Sequence, residues 1–129
     1  MLLDKSLKEL LRGYRDGSID PLVVLNEAYS QIEKHSANLN TLISVRDKQE
    51  AIAQLANMDR SLPLYGLPYV LKDSYATTEL RTTAASKILD NFHPAYDATI
   101  HTKLKAAGAI LVGKGNMDAW GHGAHVTTW

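Results

Sequence analysis

Residues 65–123 read YGLPYVLKDSYATTELRTTAASKILDNFHPAYDATIHTKLKAAGAILVGKGNMDAWGHG, and their pattern decides the fold. Leu67 to Leu71 is a short apolar run closed by Lys72, the signature of a buried strand. Asp73 to Thr83 is polar and irregular, and Ser86 to Asn91 has room for one helical turn. Asp97 reads as a helix cap, Ile100, Leu104 and Ala107 share a helical face, and Gly108 closes the helix. Ala109 to Val112 is a second continuous apolar run. Strand, helix and strand make a βαβ unit, with the right-handed crossover that parallel strands prefer. Met117 to Gly121 opens a last helical segment.

Upstream the pattern is helical. Leu3, Leu7, Leu10, Leu11 and Tyr14 form one stripe, and Gly13 and Gly17 are candidate helix ends. Asp20-Pro21 starts a second helix, with Val24, Leu25, Ala28 and Ile32 inward and its end near His35. Asn38 to Asn40 reads as a turn, and Leu42, Ile43 and Val45 as a short strand. Asp47 and Glu50 have capping-box spacing and open a third helix, with Ile52, Leu55, Ala56 and Met58 inward. Pro63, Gly66 and Pro68 make the loop before the first apolar run. Helices alternating with strands argue for an α/β fold.

The 129 residues suffice for one small domain with a core. Apolar residues make up 45% and charged residues 22%, as in ordinary globular proteins. The formal net charge is zero, which gives no electrostatic reason for direct nucleic-acid binding. With no cysteine, disulfides and thiol catalysis are excluded. The charged, helical start lacks the apolar core of a signal peptide, and no apolar run is long enough to cross a membrane. A cytoplasmic location is the expectation.

Lys72 is the foremost candidate for chemistry. A lysine at the end of a buried strand loses hydration, which disfavours its charged form and prepares it to accept a proton from a hydroxyl. It can equally reach solvent or pair with Asp73. Ser74 lies two residues on, but on a continuing strand the two side chains would start about 7 Å apart, too far for a serine–lysine pair. Gly108 to Gly115, GAILVGKG, has the glycine and lysine spacing of a phosphate-binding loop. Its intervening Ala, Ile, Leu and Val belong in a strand, and Gly115 stands where magnesium binding needs Ser or Thr. Gly113 and Gly115 instead suit a tight turn or the close approach of another segment. His122 and His125 are three apart, but with only Asp118 nearby they read as solvated rather than metal-binding. Thr82 and Thr83 suit hydrogen bonding, either to a ligand or to the loop backbone.

Taken together, these elements are more specific than any one of them. Gly66-Leu67-Pro68, Lys72-Asp73, Arg81-Thr82-Thr83, Ala85-Ser86-Lys87-Ile88-Leu89, Tyr96-Asp97-Ala98-Thr99, Gly108-Ala109, Gly113-Lys114 and Asn116-Met117-Asp118 carry a resemblance to the amidase signature family. Within it the chain is most similar to the A subunits of tRNA-dependent amidotransferases. The amino-terminal helices and Leu39-Asn40 fit as well, and the likeness runs to Ala124.

The resemblance implies a large α/β domain around a mixed sheet. Residues 1–129 would supply its amino-terminal helices and a βαβ part, stopping before a Ser/Gly-rich segment. It implies a Ser–cis-Ser–Lys site in which Lys72 is the general base, with both serines outside this sequence. It also implies glutamine hydrolysis, with ammonia passed on to convert Glu-tRNA(Gln) to Gln-tRNA(Gln) and Asp-tRNA(Asn) to Asn-tRNA(Asn). The implied partners are B and C subunits, with misacylated tRNA reached mainly through the partner subunit. No cofactor is implied in this chain; ATP and Mg belong to the partner. Two alternatives are a fragment of a general small-amide amidase of the family and a non-catalytic module that docks subunits. Ser74 departs from the Asn usual in A subunits, and Ala119 from a common acidic residue. His125 to Trp129 departs from the family's Ser-, Thr- and Asn-rich run, so an early end to the reading frame is expected, and with it a chain inactive alone.

Overall fold

The computed structural model describes residues 1–123. The helices are α1 (Leu7–Asp16), α2 (Pro21–Leu39), α3 (Lys48–Ala56) and α4 (Thr99–Ala106), and the strands β1 (Leu42–Val45), β2 (Pro68–Lys72) and β3 (Ile110–Gly115). Short 3-10 turns lie at Leu2–Asp4, Lys87–Leu89 and Ala119–Gly121. This is the expected α/β arrangement of amino-terminal helices and a small mixed sheet.

The strands are ordered β1-β3-β2. β2 runs parallel to β3, with α4 between them in the chain, so the expected βαβ unit is present. β1 is antiparallel to β3. Both ladders shift register once, between Tyr69 and Val70 on β2 and between Leu42 and Ser44 on β1. The parallel pairing sets Leu71 opposite Lys114 and Lys72 opposite Gly115, so β2 and β3 end side by side.

Local chemistry explains most element ends. Ser6 and Glu9 form a reciprocal capping box that starts α1, and Gly17, at φ 81°, ends it. Gly13 does not end this helix, as its position allowed. It lies inside α1, where a Cβ would collide with Ile19. Asp20 accepts from the Leu22 amide at 2.9 Å, with Pro21 in the first turn of α2. α2 passes His35 and continues to Leu39, so the expected turn at Asn38–Asn40 is helix up to its cap. Asn40 takes the left-handed conformation, at φ 50°, that asparagine tolerates. Asp47 accepts from the Glu50 amide at 3.2 Å and starts α3.

Asp97 does not cap α4. Ala98 holds the N-cap position, and the Asp97 carboxylate instead accepts from the Thr78 amide at 2.7 Å, fastening the polar loop to the helix start. The inward face of α4 differs too: Ile100 is exposed, and the buried residue is His101. Among the described residues, the segment after Met117 forms a 3-10 turn at Ala119–Gly121 rather than an α-helix.

One core cluster joins Leu25 and Tyr29 of α2, Ala51 and Leu55 of α3, and Ile110 and Val112 of β3, with Ile32, Ile52, Met58 and Tyr65 packed around it. Ala56, expected inward, is exposed; Ala51 is buried in its place. A second cluster joins Leu10 and Tyr14 of α1 to Val24 of α2. The Tyr14 and Tyr65 rings meet edge to face, 6.5 Å apart, near this junction. Among the described residues no helix is long and apolar enough to cross a membrane.

Candidate active site

The carboxyl ends of parallel strands are where open α/β sheets bind ligands. Here β2 ends at Lys72 and β3 at Gly115. The ladder goes one step further, because the Asp73 amide donates to the Gly115 carbonyl at 3.1 Å. The chain then turns, with the Tyr75 amide donating to the Lys72 carbonyl at 3.1 Å. Ser74 is therefore in a turn rather than on a continuing strand, and the premise for pairing it with Lys72 is gone.

Lys72 is exposed, whereas its neighbours Leu71 and Asp73 are buried. The strand alternation sends one side chain out and the next in. The desolvation expected at Lys72 is thus not present among the described residues. It is found at Lys114, which has no solvent exposure. The local alternative of a Lys72–Asp73 pair also gives way, because Asp73 pairs with Lys114.

Lys114 Nζ lies 3.1 Å from Asp73 Oδ1, and both side chains are fully buried. Nζ also donates to Thr82 Oγ1 at 2.9 Å, to Thr77 Oγ1 at 3.4 Å and to the Arg81 carbonyl at 3.4 Å. Burial pulls the Lys114 ammonium below the usual lysine pKa, against the opposing pull of Asp73. The other oxygen of Asp73 accepts from the Thr83 amide at 3.0 Å and from the Thr83 hydroxyl. A buried charge needs such a surround of partners, and here it is complete for Lys114.

This network ties down the segment that follows. The Ala84 amide donates to the Asp73 carbonyl at 3.0 Å, and the Ala85 amide to Thr83 Oγ1 at 3.1 Å. Ala84 and Ala85 both have positive φ, 50° and 55°, an uncommon conformation for alanine that needs support from its surroundings. The Trp120 amide donates to the Ala84 carbonyl at 2.9 Å. Nearby, a hydrogen bond from the Gly123 amide at 2.5 Å holds the Asp118 carboxyl below its usual pKa, with help from the Lys72 charge. Lys72, the Ala84–Ala85 loop and the Asp118–Trp120 turn therefore meet at one end of the sheet.

Other residues singled out in the sequence have structural partners. Thr82 and Thr83 are buried and serve the ion pair and the loop backbone. Ser86 caps the short Lys87–Leu89 turn, accepting from the Ile88 amide at 3.3 Å. Arg81 pairs with Asp90 and donates to Ser44 Oγ at 3.1 Å, bridging the loop to β1. Gly108, at φ 99°, closes α4. Gly113 meets the expected close approach, since a Cβ there would lie 2.9 Å from the Ser44 carbonyl. Gly115 does not, because its nearest contact would be an ordinary 3.4 Å. Lys114 and Gly115 belong to β3, so the glycine and lysine spacing of a phosphate-binding loop is here a strand. Among the described residues no cluster of three metal-ligating side chains occurs; His125 lies outside them.

Two arrangements have no counterpart in the sequence reading. The apolar letters end at Val112, yet β3 runs on through Lys114. A lysine inside a buried strand demands a buried anion, and Asp73 is that anion. His101 is the other. Its Nδ1 lies 2.5 Å from Tyr69 Oη, and its Nε2 lies 3.3 Å from Glu79 and 4.0 Å from Asp97. Its signal in the sequence is faint, a histidine in a polar helix segment.

The chain belongs to the amidase family, whose model matches residues 23–128. Among curated proteins it is similar to the A subunit of glutamyl-tRNA(Gln) amidotransferase from Lysinibacillus sphaericus, 40% identical over 128 residues, which cover 95% of this chain and 26% of that protein. The same protein from Geobacillus kaustophilus is 40% identical over 131 residues, covering 95% and 27%. Among solved structures, the A subunit from Thermotoga maritima superposes with a TM-score of 0.72 at 28% identity, covering 89% of this chain and 23% of that one. Peptide amidase of Stenotrophomonas maltophilia gives 0.76 at 28% identity, covering 90% and 25%. The chain thus spans about a quarter of the length of the curated relatives it matches.

Proposed function

We propose that this chain is the base-bearing, amino-terminal part of a glutamine-hydrolysing amidotransferase, with Lys72 as general base. The similarity to A subunits at 40% identity over nearly the whole chain supports the class of protein. The observation that carries the role of Lys72 is its place: exposed, at the carboxyl end of β2, above a buried ion pair.

In the proposed reaction the Lys72 amine takes a proton from a bridging serine, which takes one from a nucleophilic serine. The nucleophile attacks the glutamine carboxamide, the C–N bond breaks, ammonia leaves, and water hydrolyses the acyl-enzyme. Ammonia then serves an ATP-dependent partner subunit that amidates Glu-tRNA(Gln) or Asp-tRNA(Asn). Both serines belong to the part of such a protein beyond this stretch, so residues 1–129 alone do not hydrolyse glutamine under this reading.

A test joins residues 1–123 to the carboxyl-terminal part of the Lysinibacillus sphaericus protein and measures ammonia release from glutamine. Lys72→Ala is expected to lower kcat at least ~100-fold, the lower end of the range that general acid–base catalysis supplies. Unchanged kcat in that variant would refute the role of Lys72.

The likeness to a peptide amidase supports a second reading, hydrolysis of small or peptide amides with no tRNA-linked partner. Kinetics with glutamine against a peptide amide, with and without the relative's B and C subunits, distinguish the two.

A further inference from the structure

We propose that the buried Asp73–Lys114 pair is a positioning device for Lys72, holding the Lys72–Tyr75 turn and the strained Ala84–Ala85 loop in one fixed relation. The proposal rests on the reading of Lys72 as a base.

The geometry gives the pair this reach. Asp73 is the residue after Lys72 and points inward from the same strand end. Its amide extends the β2–β3 ladder to Gly115, its carbonyl receives the Ala84 amide, and its carboxylate holds the Thr83 amide and hydroxyl. Lys114 completes the link from β3, reaching Asp73, Thr77, Thr82 and the Arg81 carbonyl with one ammonium group. Several stretches of chain therefore converge on one ion pair, and Lys72 is the residue next to it. Neither Asp73 nor Lys114 is exposed to a substrate, so both act through Lys72 and the loop rather than by contact. The loop supplies an independent sign of a constrained site, because two successive alanines keep positive φ there.

Amide hydrogen exchange on the full chain tests the proposal. Removing one charge leaves the other buried and unpaired, so the informative variant is Asp73→Asn with Lys114→Met, which removes both charges at similar volume. We expect exchange at Thr83, Ala84 and Tyr75 to rise at least tenfold, while Leu111 and Val112 change less than twofold. Unchanged exchange at the three loop amides would overturn the proposal. A uniform rise, up to loss of the fold, would also overturn it, by making the pair a general support of the core.

The chimaera carrying the same double substitution supplies the catalytic readout. It is expected to lose at least tenfold in kcat with KM within twofold, since neither substituted side chain is exposed to a substrate. Equal kcat, or a loss confined to KM, would contradict positioning. If the unsubstituted chimaera hydrolyses no amide, the amidase reading fails by itself, and the exchange result still decides whether the pair fixes the loop.

Discussion

Lys72 and Lys114 sit at neighbouring strand ends and meet opposite surroundings. Lys72 is exposed, whereas Lys114 has no exposure and four oxygen partners. A buried ion pair adds little net stability over an apolar pair, but breaking it is costly because one charge is left alone. Lys114→Ala should therefore destabilise the chain by about 3–5 kcal/mol. The double neutralisation of Asp73 and Lys114 should come out near neutral. Urea denaturation checks both. The two lysines also differ in how legible they are. Lys72 can be found from its position after an apolar run and from the motifs around it. Its expected desolvation fails because exposure depends on the strand alternation and on what packs over the strand end. Lys114 is hidden because its strand is longer than its apolar letters, and an ion pair between residues so far apart in the chain has no local signal.

Among the elements, caps and faces hold where no tertiary contact competes: Val24, Leu25 and Ala28 of α2 are buried as their spacing expects, whereas the cap and face of α4 differ. Asp20-Pro21 and Asp47 start their helices as expected because their side chains meet nearby amides. Asp97 fails as a cap because a tertiary partner, the Thr78 amide, claims it. The face of α4 departs from its apolar pattern because His101, held by Tyr69, Glu79 and Asp97, takes the inward place that Ile100 would have filled.

Two predictions belong to elements. Gly108→Ala should destabilise by about 1–3 kcal/mol, because φ is 99° and the new Cβ would lie 2.9 Å from Tyr65 Cα. Thermal unfolding reads this. Burial pushes the phenols of Tyr14 on α1 and Tyr29 on α2 up to about 12. The native state then holds these protons more tightly than the unfolded chain, whose tyrosines titrate near 10. Their contribution is full below pH 10 and is lost as pH rises toward 12. Stability measured across that window should fall, and Tyr14→Phe with Tyr29→Phe should flatten the fall.

For the whole molecule the small sheet is the governing fact. It has three strands, so β2 is an edge strand among the described residues. Val70 on that strand is exposed, as are Ile88, Tyr96 and Trp120. Open strand edges and exposed apolar side chains favour self-association. The purified chain should therefore associate with rising concentration, and Val70→Lys should reduce it; sedimentation measures both. Fold class is legible in the sequence because the helix-strand alternation is local. The order β1-β3-β2 is not, because it depends on the antiparallel return of β1 to the far side of β3.

Whether Lys72 serves as the base is decided by glutamine hydrolysis in residues 1–123 joined to the carboxyl-terminal part of the Lysinibacillus sphaericus protein. We expect ammonia release by the chimaera, none by the 129-residue chain alone, and at least a ~100-fold fall in kcat with Lys72→Ala, within the range a general base supplies. Full activity in the Lys72→Ala chimaera would refute the assignment, whereas hydrolysis by the 129-residue chain alone would contradict the placing of both serines beyond it.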